Sequence, residues 1–354
     1  MAPISLTVTR PDLKSVLSAR RTGLWMVIIT ILVLFSLIGA LQTLPLTHGV
    51  TDDILERLNW AWLALSCVAM SMAFICMAAR WRALMPETVH PPLHELTGLI
   101  CAGLLLNYAA PGPVGEFGAA WFAHKRYPIT LETSLASGIS ARLLGLMTTA
   151  ILGVIIWLAF DLPIAESHQG LIQSSAILIG CGGLLIGVLA AFPKQWQRFL
   201  LETLRFIPHQ GLKIRLERAI NRVTDAVSQV LNQHPMRYVR AVIWSTGAHA
   251  SVILGIVLAA VALNAPFSLA GLAFTYTMTT AAAVLLFAFP GSYLGWDALF
   301  LGLLITTAGM GTAEATAIAL IVRLQQIVYM GLGGFSLRWL VKGIEKQPKS
   351  PEMG

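Results

Sequence analysis

A chain of 354 residues with 56% hydrophobic and only 12% charged side chains, at a mean hydropathy of +0.73, cannot hide its apolar surface in a soluble core and reads as an integral membrane protein. Its formal charge of +7 comes without a basic stripe interleaved with aromatics, which argues against nucleic acid as a partner and assigns the charge to membrane topology. Four cysteines, Cys67, Cys76, Cys101 and Cys181, sit inside apolar runs without CxxC spacing, so neither a disulfide framework nor a zinc site is expected.

Residues 1–23 form a polar, cytoplasmic N-terminus carrying Arg10, Lys14, Arg20 and Arg21 against the single acid Asp12. The apolar run 24–44 is too long for a signal-peptide core and lacks a small-residue cleavage site, so it is an uncleaved first span. Asp52, Asp53 and Glu56 mark the next loop. They resemble an aspartate-rich magnesium motif, but the loop is short and no second such motif follows, so no catalysis is expected there. A second span covers 60–79 and ends at Arg80 and Arg82. His90 and His94 stand four apart, but Pro91 and Pro92 prevent the helical geometry a metal would use. A Gly/Pro-broken region, 96–124, is closed by Lys125 and Arg126. Spans follow at 134–160 and at 171–192, the latter with Gly183 and Gly187 spaced for a close helix contact. Segment 194–240 is cytoplasmic and amphipathic. Leu216, Ala219, Ile220, Val223, Ala226, Val227, Val230 and Leu231 keep a 3.6-residue stripe, suited to covering the bundle's inner face or to meeting anionic headgroups. A span at 241–262, a second broken region at 269–309, a last span at 313–335 and a basic cytoplasmic tail at 336–354 complete the chain.

Length decides how the broken regions sit. Residues 96–109 make about 21 Å of helix and 115–124 only about 15 Å, against roughly 30 Å of hydrocarbon, so each arm reaches mid-membrane and returns. With six spans and two such re-entrant hairpins, all of the 24 Lys and Arg except Arg57, Arg142 and Arg323 face one side, which the positive-inside rule makes the cytoplasm. Both termini are then cytoplasmic. The expected fold is an all-α polytopic bundle whose two repeats, 24–163 and 164–335, each hold an odd number of crossings and therefore insert with opposite orientation.

The repeat is also written in motifs. Asn107, Pro111-Gly112 and Val114-Gly115-Glu116 are answered by Pro290-Gly291, Leu294-Gly295 and Asp297, and Arg142 follows Glu116 by the same 26 residues that separate Arg323 from Asp297. Ionisable groups inside a bilayer are expensive, so Glu116, Arg142, Asp297 and Arg323 are the candidate substrate-binding residues, with His249 as a candidate proton relay or a packed histidine. The tip residues Gly112, Gly115, Gly291 and Gly295, with Asn107, would offer backbone amides and helix N-termini to an anion. In one reading Arg142 and Arg323 receive a lipid phosphate while Glu116 and Asp297 hold the arginines or bind a proton or an amine. In the other, each acid simply pairs with an arginine and locks the halves together. No GxSxG or Walker motif appears, and no catalytic residue, metal or cofactor is expected.

These two motif copies with their trailing arginines, together with Arg80-Trp81-Arg82, resemble the flippase-like transmembrane domain of lysylphosphatidylglycerol synthases over nearly the whole chain. The sequence departs from that pattern at Asp297, where a glutamate is usual, and at Ala119-Ala120, where many members carry an arginine. The resemblance implies a bacterial cytoplasmic-membrane protein that moves an anionic phospholipid or a polyprenyl- or hopanoid-type lipid between leaflets, passively or coupled to an ion. It implies no synthase activity, which in that family belongs to a separate soluble domain. Membrane lipids are the expected partners, with a lipid-synthesis enzyme or glycosyltransferase beside them and an oligomer open. The rival readings are an intramembrane lipid-modifying transferase and a non-transporting partner of a lipid-synthesis enzyme.

Overall fold

The computed structural model describes residues 56–109, 114–164, 192–206, 210–232, 234–286 and 292–345, with scattered positions between 169 and 182. All of these belong to the larger of two compact units, Leu46–Gly354. The expected first span 24–44, residues Asp52 and Asp53, most of 171–192 with Gly183 and Gly187, the tip glycines Gly112 and Gly291, and the end of the tail lie outside the described residues.

The described elements are helices: α1 (Trp60–Leu84), α2 (Leu93–Ala109), α3 (Val114–Arg126), α4 (Leu131–Ala159), α5 (Pro193–Thr203), a short 3₁₀ turn (Leu204–Phe206), α6 (Gln210–Leu231), α7 (Pro235–Ala262), α8 (Leu269–Leu286), α9 (Ser292–Ala308) and α10 (Thr312–Glu345). Four of them, α1, α4, α7 and the Thr312–Trp339 portion of α10, are long and apolar enough to cross a membrane. Their outward faces carry large apolar side chains such as Val68, Ile155, Leu158, Val328 and Phe335, as a lipid solvent demands.

Helix ends are set locally. Asn59 caps α1 by accepting from the Ala61 and Trp62 amides, and Thr130 caps α4 by accepting from Thr133. His234 caps α7, whose first residue is Pro235, and the turn beyond α7 is made by Asn264 at φ 51°. Pro86 follows the end of α1 and biases Met85 to the extended conformation it adopts.

Two expectations need correction here. Helix α1 does not stop at Ala79. Ala83 and Leu84 continue it to the residue before Met85, so Arg80 is not a loop charge but a helical side chain, 9% exposed, within the bundle. Segment 194–240 is not one element either. It divides into α5, the 3₁₀ turn, α6 and the first turns of α7. Of its apolar stripe, Ala226, Val227 and Val230 are buried against Trp81 and Leu84 of α1 and Ala136 and Ala141 of α4. Arg222 ties the same helix to Glu132 of α4 at 3.2 Å.

The order long, short, short, long thus occurs twice, in α1–α4 and again in α7–α10. Within each short pair the helices run antiparallel: Asn107 lies beside Gly115 while Glu95 meets Arg126 at the other end, and Thr275 bonds Thr307 at 2.9 Å. At 17, 13, 18 and 17 residues the four short helices measure about 25, 20, 27 and 25 Å. The two sets pack on one another. Helix α2 packs on α10, α8 packs on α4, and α1 packs along α7. Small residues permit the first of these contacts: a Cβ on Gly98 would lie 2.7 Å from the Ser336 hydroxyl, and one on Gly333 only 2.6 Å from the Ala102 amide.

Candidate functional site

The first acid is positioned by the junction of α2 and α3. Glu116 stands in the first turn of α3, and Asn107 turns its carboxamide onto that turn: Oδ1 accepts from the Gly115 amide at 2.7 Å while Nδ2 donates to Glu116 Oε1 at 3.2 Å. Glycine is required at 115, because a Cβ there would sit 2.6 Å from Asn107 Oδ1 and press on the Gly103 carbonyl. Arg142, from α4, forms an ion pair with Glu116 Oε1. Glu116 Oε2 is buried and has no hydrogen-bond partner among the described residues.

The second acid is held more tightly. Arg323 of α10 approaches Asp297 Oδ1 through both Nε and Nη2, at 2.6 Å each. Its guanidinium lies 4.7 Å from the Trp296 ring, which itself stacks on Phe300 at 4.8 Å. Arg323 Nη1 donates to Gln326 Oε1 at 2.6 Å and to the hydroxyl of Tyr108, and that hydroxyl donates to the same Gln326 oxygen at 2.7 Å. Tyr108 belongs to α2, so the second pair is wired into the first helix pair. The side chains of Arg323 and Asp297 are 13% and 21% exposed, against 38% for Arg142, which makes the second pair the more enclosed.

A third polar group sits where α1, α4, α7 and α8 converge. His249 bonds Thr149 Oγ1 at 2.8 Å, the Gly145 carbonyl at 3.0 Å and the Tyr276 hydroxyl at 2.9 Å. Beside it Arg80 donates from Nη1 to Ser245 at 3.1 Å. Gly145 gives that guanidinium its room, since a Cβ there would lie 2.9 Å from Arg80 Cζ.

Part of this network faces a cavity of about 360 Å³, within the usual range for ligand sites. Glu116, Arg142, Asn107 and Gly115 line it, joined by Arg80, Tyr276, Trp296 and Gln326. Of the sequence-derived candidates, Asp297 and Arg323 stand behind this wall, reaching it through Trp296 and Gln326, and Gly295 lies in the first turn of α9 away from the described lining. His249 is one residue removed, behind Tyr276. Among the described residues no group of three His, Cys, Asp or Glu converges as a metal site would need.

At the opposite end of the first short pair, Glu95 accepts from Arg126 Nε at 3.2 Å and Nη2 at 3.1 Å, and from the Tyr127 hydroxyl. Burial alone would raise the Glu95 carboxyl, but the Arg126 and Tyr127 bonds outweigh it and hold the group below its ordinary value of 4.5. Burial and the same bond push the Tyr127 hydroxyl up.

Sequence reading missed Arg80, Tyr108, Tyr276, Trp296 and Gln326. Arg80 was hidden because charge at the end of an apolar run reads as a loop. The signal that finds it is Ala83-Leu84 before Pro86, which carries the helix one turn further. The other four are uncharged and carry no intramembrane cost that would single them out.

Helices long enough to span, packed around a cavity with an ion pair on its wall, define a multi-pass α-helical membrane protein. The chain belongs to the family of the Lysylphosphatidylglycerol synthase TM region, which matches residues 24–334 and connects it with membrane lipids. No curated protein and no solved structure matches it.

Proposed function

We propose that this protein is a flippase-like lipid translocase of the bacterial cytoplasmic membrane. It moves an anionic phospholipid, or a polyprenyl- or hopanoid-type lipid, between leaflets by passing the headgroup through the cavity while the acyl chains trail in the bilayer. The observation that carries this reading is the cavity itself, a largely apolar chamber within the bundle whose wall nevertheless holds the Glu116–Arg142 pair and Arg80. Such groups are too costly in hydrocarbon to be retained without use.

The short helices support it. Helices α2 and α3, at about 25 and 20 Å, fall short of roughly 30 Å of hydrocarbon, so α2–α3 is read as a re-entrant hairpin, and α8–α9, whose first arm at about 27 Å comes near to crossing unaided, is read the same way as its repeat. The two sets form an inverted repeat whose termini face the cytoplasm, with two further spans at 24–44 and 171–192. The reciprocal packing of α2 on α10 and α8 on α4 is what a two-fold relation between the sets would produce. Glu116–Arg142 on the wall then acts as a neutral pair whose donors the headgroup borrows, Asp297–Arg323 braces Trp296 and Gln326 from behind the wall, and His249 packs behind Tyr276. No chemistry is performed on the lipid, no cofactor is needed, and a lipid-synthesis enzyme or glycosyltransferase is the fitting neighbour.

The test is leaflet exchange in proteoliposomes, read by dithionite quenching of fluorescent phosphatidylglycerol. Protein should accelerate exchange over empty vesicles, and Arg142→Ala and Arg323→Ala should each slow it by about tenfold or more. Exchange no faster than in empty vesicles for phosphatidylglycerol, polyprenyl phosphate and hopanoid probes alike would overturn the proposal. A chemically altered lipid recovered from those vesicles would replace it with a transferase.

A further inference from the structure

The geometry points to Arg80 as the residue that meets the negative charge of a phosphate group inside the cavity, rather than Arg142 or Arg323. This rests on the reading that the cavity receives a lipid headgroup, and it names which side chain takes the charge.

The charge balance on the cavity wall is the first ground. Arg142 already faces Glu116, and Arg323 behind the wall faces Asp297, so each of those guanidiniums has a carboxylate to satisfy it. Arg80 lines the same cavity at 9% exposure, and among the described residues its only hydrogen-bond partner is the neutral hydroxyl of Ser245. With Glu116 cancelling Arg142, the described lining retains one positive charge, and Arg80 carries it. A guanidinium so far from water, without an anion, is unfavourable unless an anion arrives.

The second ground is the way the side chain is held. Ser245 engages Nη1 on one side, and Nε is buried without an acceptor among the described residues. Nε and Nη2 form the edge of the guanidinium that grips two oxygens of a phosphate side-on. Gly145 leaves space for the guanidinium as a whole, as a Cβ there would press on Nη1 and stand 2.9 Å from Cζ. The hydroxyl of Tyr276 and the carboxamide of Asn107 line the same chamber and supply neutral polar contacts around the charge.

Native mass spectrometry of the purified full-length protein tests this with three probes: phosphatidylglycerol, the matching diacylglycerol without phosphate, and inorganic phosphate alone. Phosphatidylglycerol should bind the native chain and bind Arg80→Gln at least about tenfold more weakly, while diacylglycerol binding is unchanged. Arg80→Lys, which keeps the charge but loses the fork, should fall between them. Because a variant at this buried site can lose its fold, the native protein is also labelled with phenylglyoxal, and phosphatidylglycerol should protect Arg80 from modification where diacylglycerol does not. Protection by inorganic phosphate equal to that by the lipid would keep Arg80 as the phosphate residue but give the cavity a soluble anion, overturning the translocase reading alone. Folded Arg80→Gln that binds phosphatidylglycerol like the native chain would overturn the inference, as would absent protection of Arg80 or loss of binding confined to Arg142→Gln. Lipid exchange in proteoliposomes would then still stand on its own result.

Discussion

Replacing Asp297 by alanine should destabilise the protein by about 3 kcal/mol. Removing one partner of a buried ion pair strands the other charge, at a cost of about 3–5 kcal/mol. The lower end applies because Arg323 keeps Gln326, the Tyr108 hydroxyl and the Trp296 ring when its carboxylate is gone. Asp297 is 21% exposed and Arg323 13%, so solvent screens the pair only weakly. A loss of this size is roughly a 150-fold shift in the unfolding equilibrium. It is several times the roughly 0.6 kcal/mol of an average hydrogen bond between membrane helices. The assay is unfolding in mixed micelles of increasing dodecyl sulfate fraction, followed by circular dichroism, for Asp297→Ala, Arg323→Met and the double variant. The double variant should recover about 1–3 kcal/mol relative to the sum of the singles, since no charge is then left stranded. Strict additivity, or an Asp297→Ala loss below about 0.6 kcal/mol, would refute the claim that the pair is energetically closed.

Gly115→Ala should cost about 1–3 kcal/mol in the same titration by forcing α3 off the Gly103 carbonyl and Asn107. Gly302→Ala, mid-helix with nothing within 4 Å of its Cβ, should gain about 0.5–1 kcal/mol. The Glu95 carboxyl is depressed in the folded state, so its stabilisation is complete above the ordinary value of 4.5 and is lost as pH falls below it. Melting temperature should therefore decline more steeply below that pH in the native chain than in Glu95→Gln, and parallel curves would contradict the assignment. His249→Ala should cost about 1–3 kcal/mol through the orphaned Tyr276 and Thr149 hydroxyls. If His249 only packs, the pH profile of lipid exchange should keep its shape in that variant, and a displaced profile would mark it as a proton relay instead.

The sequence pattern revealed much of this, and the reasons differ by residue. Membrane helices announce themselves through composition, so α1, α4, α7 and α10 were legible from apolar length alone. The two acid–arginine pairs were legible because charge is scarce in this chain: an equal spacing of 26 residues between two rare acids and two rare arginines is hard to produce by accident, and both pairs form. Arg80 was misplaced because hydropathy averages over a window and cannot say where a helix ends within a turn. Tyr108, Trp296 and Gln326 were illegible for a different reason. An all-round apolar helix has no periodicity to show which face meets a neighbour, so the partners of Arg323 come only from the packing of α2 against α10.

That packing has a consequence for biosynthesis. The small-residue face of α2 at Gly98 and Cys101 is completed by Ser336 and Gly333, which the ribosome adds about 230 residues later. At roughly 5–20 residues per second, the nascent α2–α3 segment waits on the order of 10–50 s for its seat. During that interval the small-residue face of α2 meets the insertion machinery or lipid in place of α10.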